Sequence, residues 1–242
     1  FQEITLSAAC PKANELLLGT RDPLTFSERQ DNQPTEDGDE WLDWLVPLRD
    51  RLLDLLRDRS RSLKARLRDF LLITGEAQQL FDSENMAELA AFCTGSWATS
   101  AETDAGSGSW EAAACRCLQD LEILEPDWLA LLKQWEQAPE LPGFAPQDPD
   151  KQVAQRLTYP PKAAFRYLLK AVNDGDLLGR AQFCALGVLV TDRLSRFVGL
   201  PEALRLFSRE IEHDEDNLAT LLEQFWQTEG LSLSALLAAF GG

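Results

Sequence analysis

"PEALRLFSREIEHDEDNLATLLEQFWQ", residues 201–227, is the stretch whose reading decides the fold. Leu204, Phe207, Ile211, Leu218, Leu222 and Phe225 recur at helical spacing, the pattern of a helix that buries one face. Arg205, Arg209, Glu212, His213 and Asp216 gather on the opposite face. The spacing predicts one amphipathic helix over 201–227, and its polar face has two readings. As a solvated surface it is laced by ion pairs worth a few tenths of a kcal/mol each, the usual fate of charges on a helix. As a site, Glu212 orients or charges the imidazole of His213, the only histidine in the chain, and Arg209 fixes an acidic group or substrate. Carboxylates at 210, 212, 214, 215 and 216 favour the imidazolium, whereas burial opposes it. Spacing alone favours the solvated surface.

Outward from this stretch the helical period dominates. "CPKANELLLG" (10–19) places Pro11 in a first turn and Gly19 at a C-cap, which marks a short helix over 10–18. Residues 20–40 read as a loop. Trp41, Leu45, Leu48, Leu52, Leu55 and Leu56 then share a stripe. After "DRSRS" (58–62) a second stripe follows with Leu63, Leu67, Phe70, Leu71, Leu80 and Phe81, so the two segments are expected to form a hairpin. A helix near 84–93 precedes "TGSWATSAETDAGSGSW" (94–110), whose composition marks a mobile insertion. Helices follow at 111–122 and 126–137, the second carrying Trp128, Leu131, Leu132 and Trp135 on one side. The four prolines of "APELPGFAPQDPD" (138–150) mark a linker between sub-bundles at 1–137 and 151–242. Beyond it, 160–173, 177–198, 201–227 and 231–240 read as helices separated by "NDGD", "GLP" and "TEG". Strand patterns are absent from the sequence. The expected fold is all-α, an irregular bundle of about eight to ten helices in one or two sub-bundles.

Composition narrows the function. With 242 residues, 45% of them hydrophobic, the chain can bury a core without disulfides or metal. A net charge of −17 argues against nucleic acid, because following a phosphate backbone needs a basic stripe. Acidity favours a basic partner such as a lysine-bearing protein surface, although it more often only keeps a protein dispersed. No apolar run approaches the roughly 20 residues of a membrane span; the longest, "FCALGVLV" (183–190), is interrupted by Gly187. Five cysteines at irregular spacing, with no secretory signal, point to a cytoplasmic protein without a disulfide framework. The start at Phe1, without methionine or targeting signal, is expected of a fragment.

Catalytic motifs are scarce. No glycine-rich turn of the nucleotide-binding type and no G-x-S-x-G elbow occurs. Cys115 and Cys117 lie about 200° apart around a helix, so they cannot face one metal together.

Four segments, in order, resemble the flagellin lysine-N-methylase family. "FSREIEHDEDNL" (207–218) resembles that family's C-terminal segment, where an aromatic, an Arg and a Glu-His pair precede an Asn. "EITLSAACPKANELLLG" (3–19) resembles its Cys-Pro segment, "LRDRLLDLLRDRSRSLKARLRDFL" (48–71) the paired helices after it, and "FRYLLKAV" (165–172) the lead into the last helices. The Cys-Pro and Glu-His segments are the most specific. Family members also carry an upstream cysteine-rich region, absent here, so the chain resembles the helical C-terminal two-thirds. The resemblance implies methyl transfer from S-adenosylmethionine to lysine ε-amines of flagellin, the expected partner. It places Glu212 and His213 as catalytic, with Arg209, Tyr167 and Phe207 binding substrate or cofactor. Cys10 would complete a metal or iron–sulfur cluster held mainly by the missing region; its other reading is that Cys10-Pro11 simply starts a helix. The alternative function is a non-catalytic helical module that presents a basic protein substrate.

Overall fold

The computed structural model of the chain describes residues 40–97, 110–138 and 159–240. The expected helix at 10–18 with Cys10, nearly all of the loop 20–40, most of the insertion 94–110 and residues 139–150 of the proline-rich segment lie outside the described residues. Within them the protein is all-α, with ten helices and no strand.

Helix α1 (Glu40–Arg57) buries Leu45, Leu48, Leu52 and Leu56 on one stripe. Leu53 joins them in the core, whereas Leu55 lies only partly buried. Ser62 caps α2 (Leu63–Asp82) by accepting the Ala65 N–H at 3.2 Å, satisfying one of the amides that a helix start leaves without a partner. Buried Arg66 donates to the carbonyl of Leu56 at the end of α1, which ties the two helices at their junction. Burial pushes its pKa down to about 10. Helices α3 (Met86–Thr94), α4 (Trp110–Asp120) and α5 (Pro126–Glu136) follow. The latter two join through Trp110 against Trp135, with ring centroids 6.0 Å apart.

Helix α6 (159–167) tightens into a 3-10 segment, Leu168–Asn173. Next comes α7 (Leu177–Val198), the centre of the molecule. Every residue from Gly179 to Leu194 is buried. Asp176 caps its start by accepting the Gly179 N–H at 2.8 Å. Gly199, with φ of 79°, ends it in a backbone region that favours glycine. Helix α7 packs against α2, α5 and the 168–173 turn, and against the elements that follow it: α8 (Leu200–Phe207), α9 (Glu215–Gln227) and α10 (Leu233–Ala239). One apolar cluster runs from Trp44 to Phe240 and joins residues on both sides of the proline-rich segment.

The expectation of a single helix over 201–227 is corrected. The chain leaves α8 through a π turn, Ser208–Glu212, and restarts at Asp214, which caps α9. The apolar stripe is correct, since Leu204, Phe207, Ile211, Leu218, Leu222 and Phe225 are all buried. The polar face is not one face. Two carboxylates, Glu210 and Glu212, are buried as well, and positions two apart on a regular helix point about 200° away from each other.

Candidate functional site

The site is built on the π turn. Its closing bond runs from the His213 N–H to the Ser208 carbonyl at 3.0 Å, one residue longer than an α-helical bond; such insertions concentrate at functional sites. Immediately after it, the Asp214 side chain accepts the Asn217 N–H at 2.7 Å, with Glu215 and Asp216 in the first turn of α9. A short polar residue followed by acids is a helix start.

Glu212 points inward. Its Oε1 accepts a hydrogen bond from the Tyr159 hydroxyl at 3.3 Å, and its Oε2 is buried with no hydrogen-bond partner among the described residues. Tyr159 stands at the head of α6 over Gly187 of α7, where an added Cβ would lie 2.8 Å from the phenol oxygen. Glycine there is what lets the ring approach. Burial, and then the charge of Glu212, hold the Tyr159 phenol well above its usual range. The same two causes push up the thiol of Cys184, one turn before Gly187.

His213 is exposed at the end of the turn. Its pKa is lowered from the usual 6.5, first by partial burial and then by Arg166, Lys162 and Lys170, with Glu212 pulling the other way. Of the two opposing effects read from the sequence, burial outweighs the carboxylates. The residues next to His213 in sequence are acidic, but those that α6 and the 168–173 turn bring to it are basic.

Tyr167 and Phe207 lie beneath, both fully buried. Phe183 of α7 joins them: Tyr167 meets its edge at 4.8 Å between centroids and Phe207 stacks on it at 6.0 Å. Arg166 and Lys170 flank the Tyr167 ring at 5.2 and 5.3 Å. Arg209 is carried elsewhere. It is exposed and pairs with Glu125 at 2.8 Å, where Arg205 also bonds Glu125 and Glu202. The structure thus brings together Glu212, His213, Tyr167 and Phe207, adds Tyr159 and three cations, and places Arg209 on the α5 side.

Sequence reasoning missed Tyr159, Lys162, Arg166, Lys170, Glu210 and Asn217. Lys162, Arg166 and Lys170 had a readable signal, their four-residue spacing within "YPPKAAFRYLLK" (159–170). Glu210 and Asn217 had none, because their partners are some 85 to 95 residues away in the chain.

The cavity beside Tyr159, lined also by Val188, Thr191 and Leu204, measures about 10 Å³. That is room for one water. No group of three or more His, Cys, Asp or Glu side chains converges among the described residues. Burial pushes the Cys93 and Cys117 thiols up to about 11. No helix among the described residues is long and apolar enough to cross a membrane. No protein-family model matches the chain, and neither a curated protein nor a solved structure matches it.

Proposed function

We propose that the chain is part of a cytoplasmic protein-lysine N-methyltransferase resembling the flagellin lysine-N-methylases, acting on lysines of flagellin with S-adenosylmethionine as methyl donor. One observation carries this reading. "FSREIEH", within the most specific segment of the resemblance, folds as a π turn that buries Glu212 against Tyr159 and leaves His213 at the surface among cations. A merely solvated helix face would bury neither carboxylate.

The chemistry is consistent. A lysine ε-amine must lose its proton before it can attack a methyl group, and nearby positive charge disfavours the ammonium. Lys162, Arg166 and Lys170 supply such charge beside His213. An imidazole with a lowered pKa is neutral at pH 7 and has a lone pair at a ring nitrogen to accept that proton. Glu212 stabilises the imidazolium that results. Tyr167 and Phe207 serve as a buried wall under the turn, and Arg209 holds the α5 side. S-adenosylmethionine supplies the electrophilic methyl group; the residues named here act on the amine.

A second reading, a non-catalytic module that presents a basic protein substrate, is favoured by the lack of a nucleotide-binding motif in the sequence and by the charge of −17. Calorimetric titration with S-adenosylmethionine and a methylation assay on flagellin separate the two. In the natural protein as encoded, Glu212→Gln and His213→Ala are each expected to cut lysine methylation at least ~100-fold, the scale of a lost acid–base group. Full activity in both variants, or neither donor binding nor methylation by the unaltered protein, favours the module.

A further inference from the structure

We propose that Glu210 and Asn217 form a positioning pair: they lock the π turn to the amino end of α5, and so keep Glu212 against Tyr159 and His213 at the surface beside α6. The importance of the lock rests on the reading of Glu212 and His213 as the reactive pair; its geometry does not. Relaxing the π turn to a regular helix would shift the register by one residue and rotate everything after it by about 100°. Local sequence does not demand the wider turn, because neither proline nor glycine occurs between residues 202 and 229. Helix distortions without those residues arise where polar groups are drawn out of the ladder.

The restraint comes from outside the turn. Glu210, fully buried, accepts the N–H groups of Leu124 at 2.9 Å and Glu125 at 2.7 Å. Asn217, also buried, donates to the carbonyls of Glu122 and Glu210, both at 2.8 Å, and accepts the Glu122 N–H at 2.9 Å. These bonds clamp the link before α5 between the two residues, one on each side of the break. Burial pushes the Glu210 pKa up, and the Leu124 and Glu125 amides pull it back. A carboxylate is a costly way to fill a core position. What it adds is a fixed direction, because two amides from a distant segment define where residue 210 must sit.

Proton NMR titration of His213 in the full chain tests the lock, since this is the only histidine. Glu210→Gln sets an amide NH₂ against at least one backbone N–H. Asn217→Leu removes all three side-chain bonds while keeping the side-chain branching and adding no charge. In both variants His213 is expected to titrate closer to 6.5 than in the unaltered chain, as the relaxed turn gives up its partial burial and moves away from Arg166, Lys162 and Lys170. Loss of the Glu210 charge alone would push His213 further down, so an upward movement reports the turn. Glu202→Gln, which breaks only the pair with Arg205, should not raise it. An unmoved His213 in folded variants overturns the proposal. So does failure of both variants to fold, because the pair would then hold the fold rather than the turn. A shifted His213 with no methylation by the unaltered protein leaves the lock standing and removes the functional reading; methylation with an unmoved His213 does the reverse.

Discussion

Two stretches of this chain carry a long helical pattern, 177–198 and 200–227, yet only the first is a continuous helix. The difference lies in what each must satisfy. Helix α7 is buried on every side from Gly179 to Leu194, and its polar residues find partners without leaving helical register. Thr191 donates to the Gly187 carbonyl at 2.6 Å, Gln182 to the Leu231 carbonyl at 3.1 Å, and Arg193 to Glu111 at 2.9 Å. The later stretch brings Glu210 and Glu212 into the core, and no regular helix places both against their partners. Apolar burial tolerates a straight helix; two buried carboxylates with distant partners do not.

The largest test of that contrast removes an anchor from the uniform helix. Phe183 is fully buried between Tyr167 and Phe207. Phe183→Ala should cost about 3–5 kcal/mol in urea unfolding, the range for deleting a buried aromatic ring. A loss near 1 kcal/mol would mean that the centre of the molecule is looser than its packing implies.

Gly187→Ala sharpens the contrast by coupling the two stretches. The new methyl would lie 2.8 Å from the Tyr159 hydroxyl and 3.3 Å from Phe207, an overpacking worth roughly 1–3 kcal/mol. Combining it with Tyr159→Phe removes the nearest contact, so a double-mutant cycle should show the pair less destabilised than the sum of the singles. Additive effects would place the strain on Phe207 and on the Tyr159 ring carbon at 3.3 Å, which Tyr159→Phe retains.

Most of the fold was legible. The stripe in 201–227 and the all-apolar run around Phe183 are local facts of spacing, and burial followed them. Asp176 and Gly199 announced the ends of α7 through ordinary capping chemistry. The break at Asp214 has a local signal in the sequence, since a short acid followed by Glu215 and Asp216 is a helix start, although the apolar stripe runs on through it. The charges were not legible. Periodicity assigns every glutamate to the surface, whereas the direction in which Glu210 and Glu212 turn depends on amides at 124 and 125 and a phenol at 159. The cations around His213 likewise come from a different helix.

A smaller effect is expected on the α5 side. Arg209 is 56% exposed, and Arg205 also contacts its partner Glu125. Arg209→Ala should therefore change stability by only about 0.2–1 kcal/mol, as for exposed ion pairs generally. A larger loss would show that this pair, rather than the buried clamp, holds the turn to α5.

The smallest effect separates the buried acid from the exposed base by pH. The His213 pKa lies below its usual 6.5 in the folded chain. Above 6.5 the imidazole is neutral in both states and contributes nothing. As pH falls below 6.5 the unfolded chain takes up the proton first, so stability is lost down to the folded pKa. The Glu210 pKa lies above its usual 4.5 in the folded chain. Here the folded chain takes up the proton first, so stability is gained as pH falls from the folded pKa towards 4.5. The two slopes oppose each other. Urea midpoints measured from pH 7.5 to 5 should thus fall less steeply with acid in His213→Ala than in the unaltered chain. If His213→Ala leaves the profile unchanged, neither partial burial nor the cations of α6 and the 168–173 turn lower the imidazole pKa, and the π turn would set no protonation state.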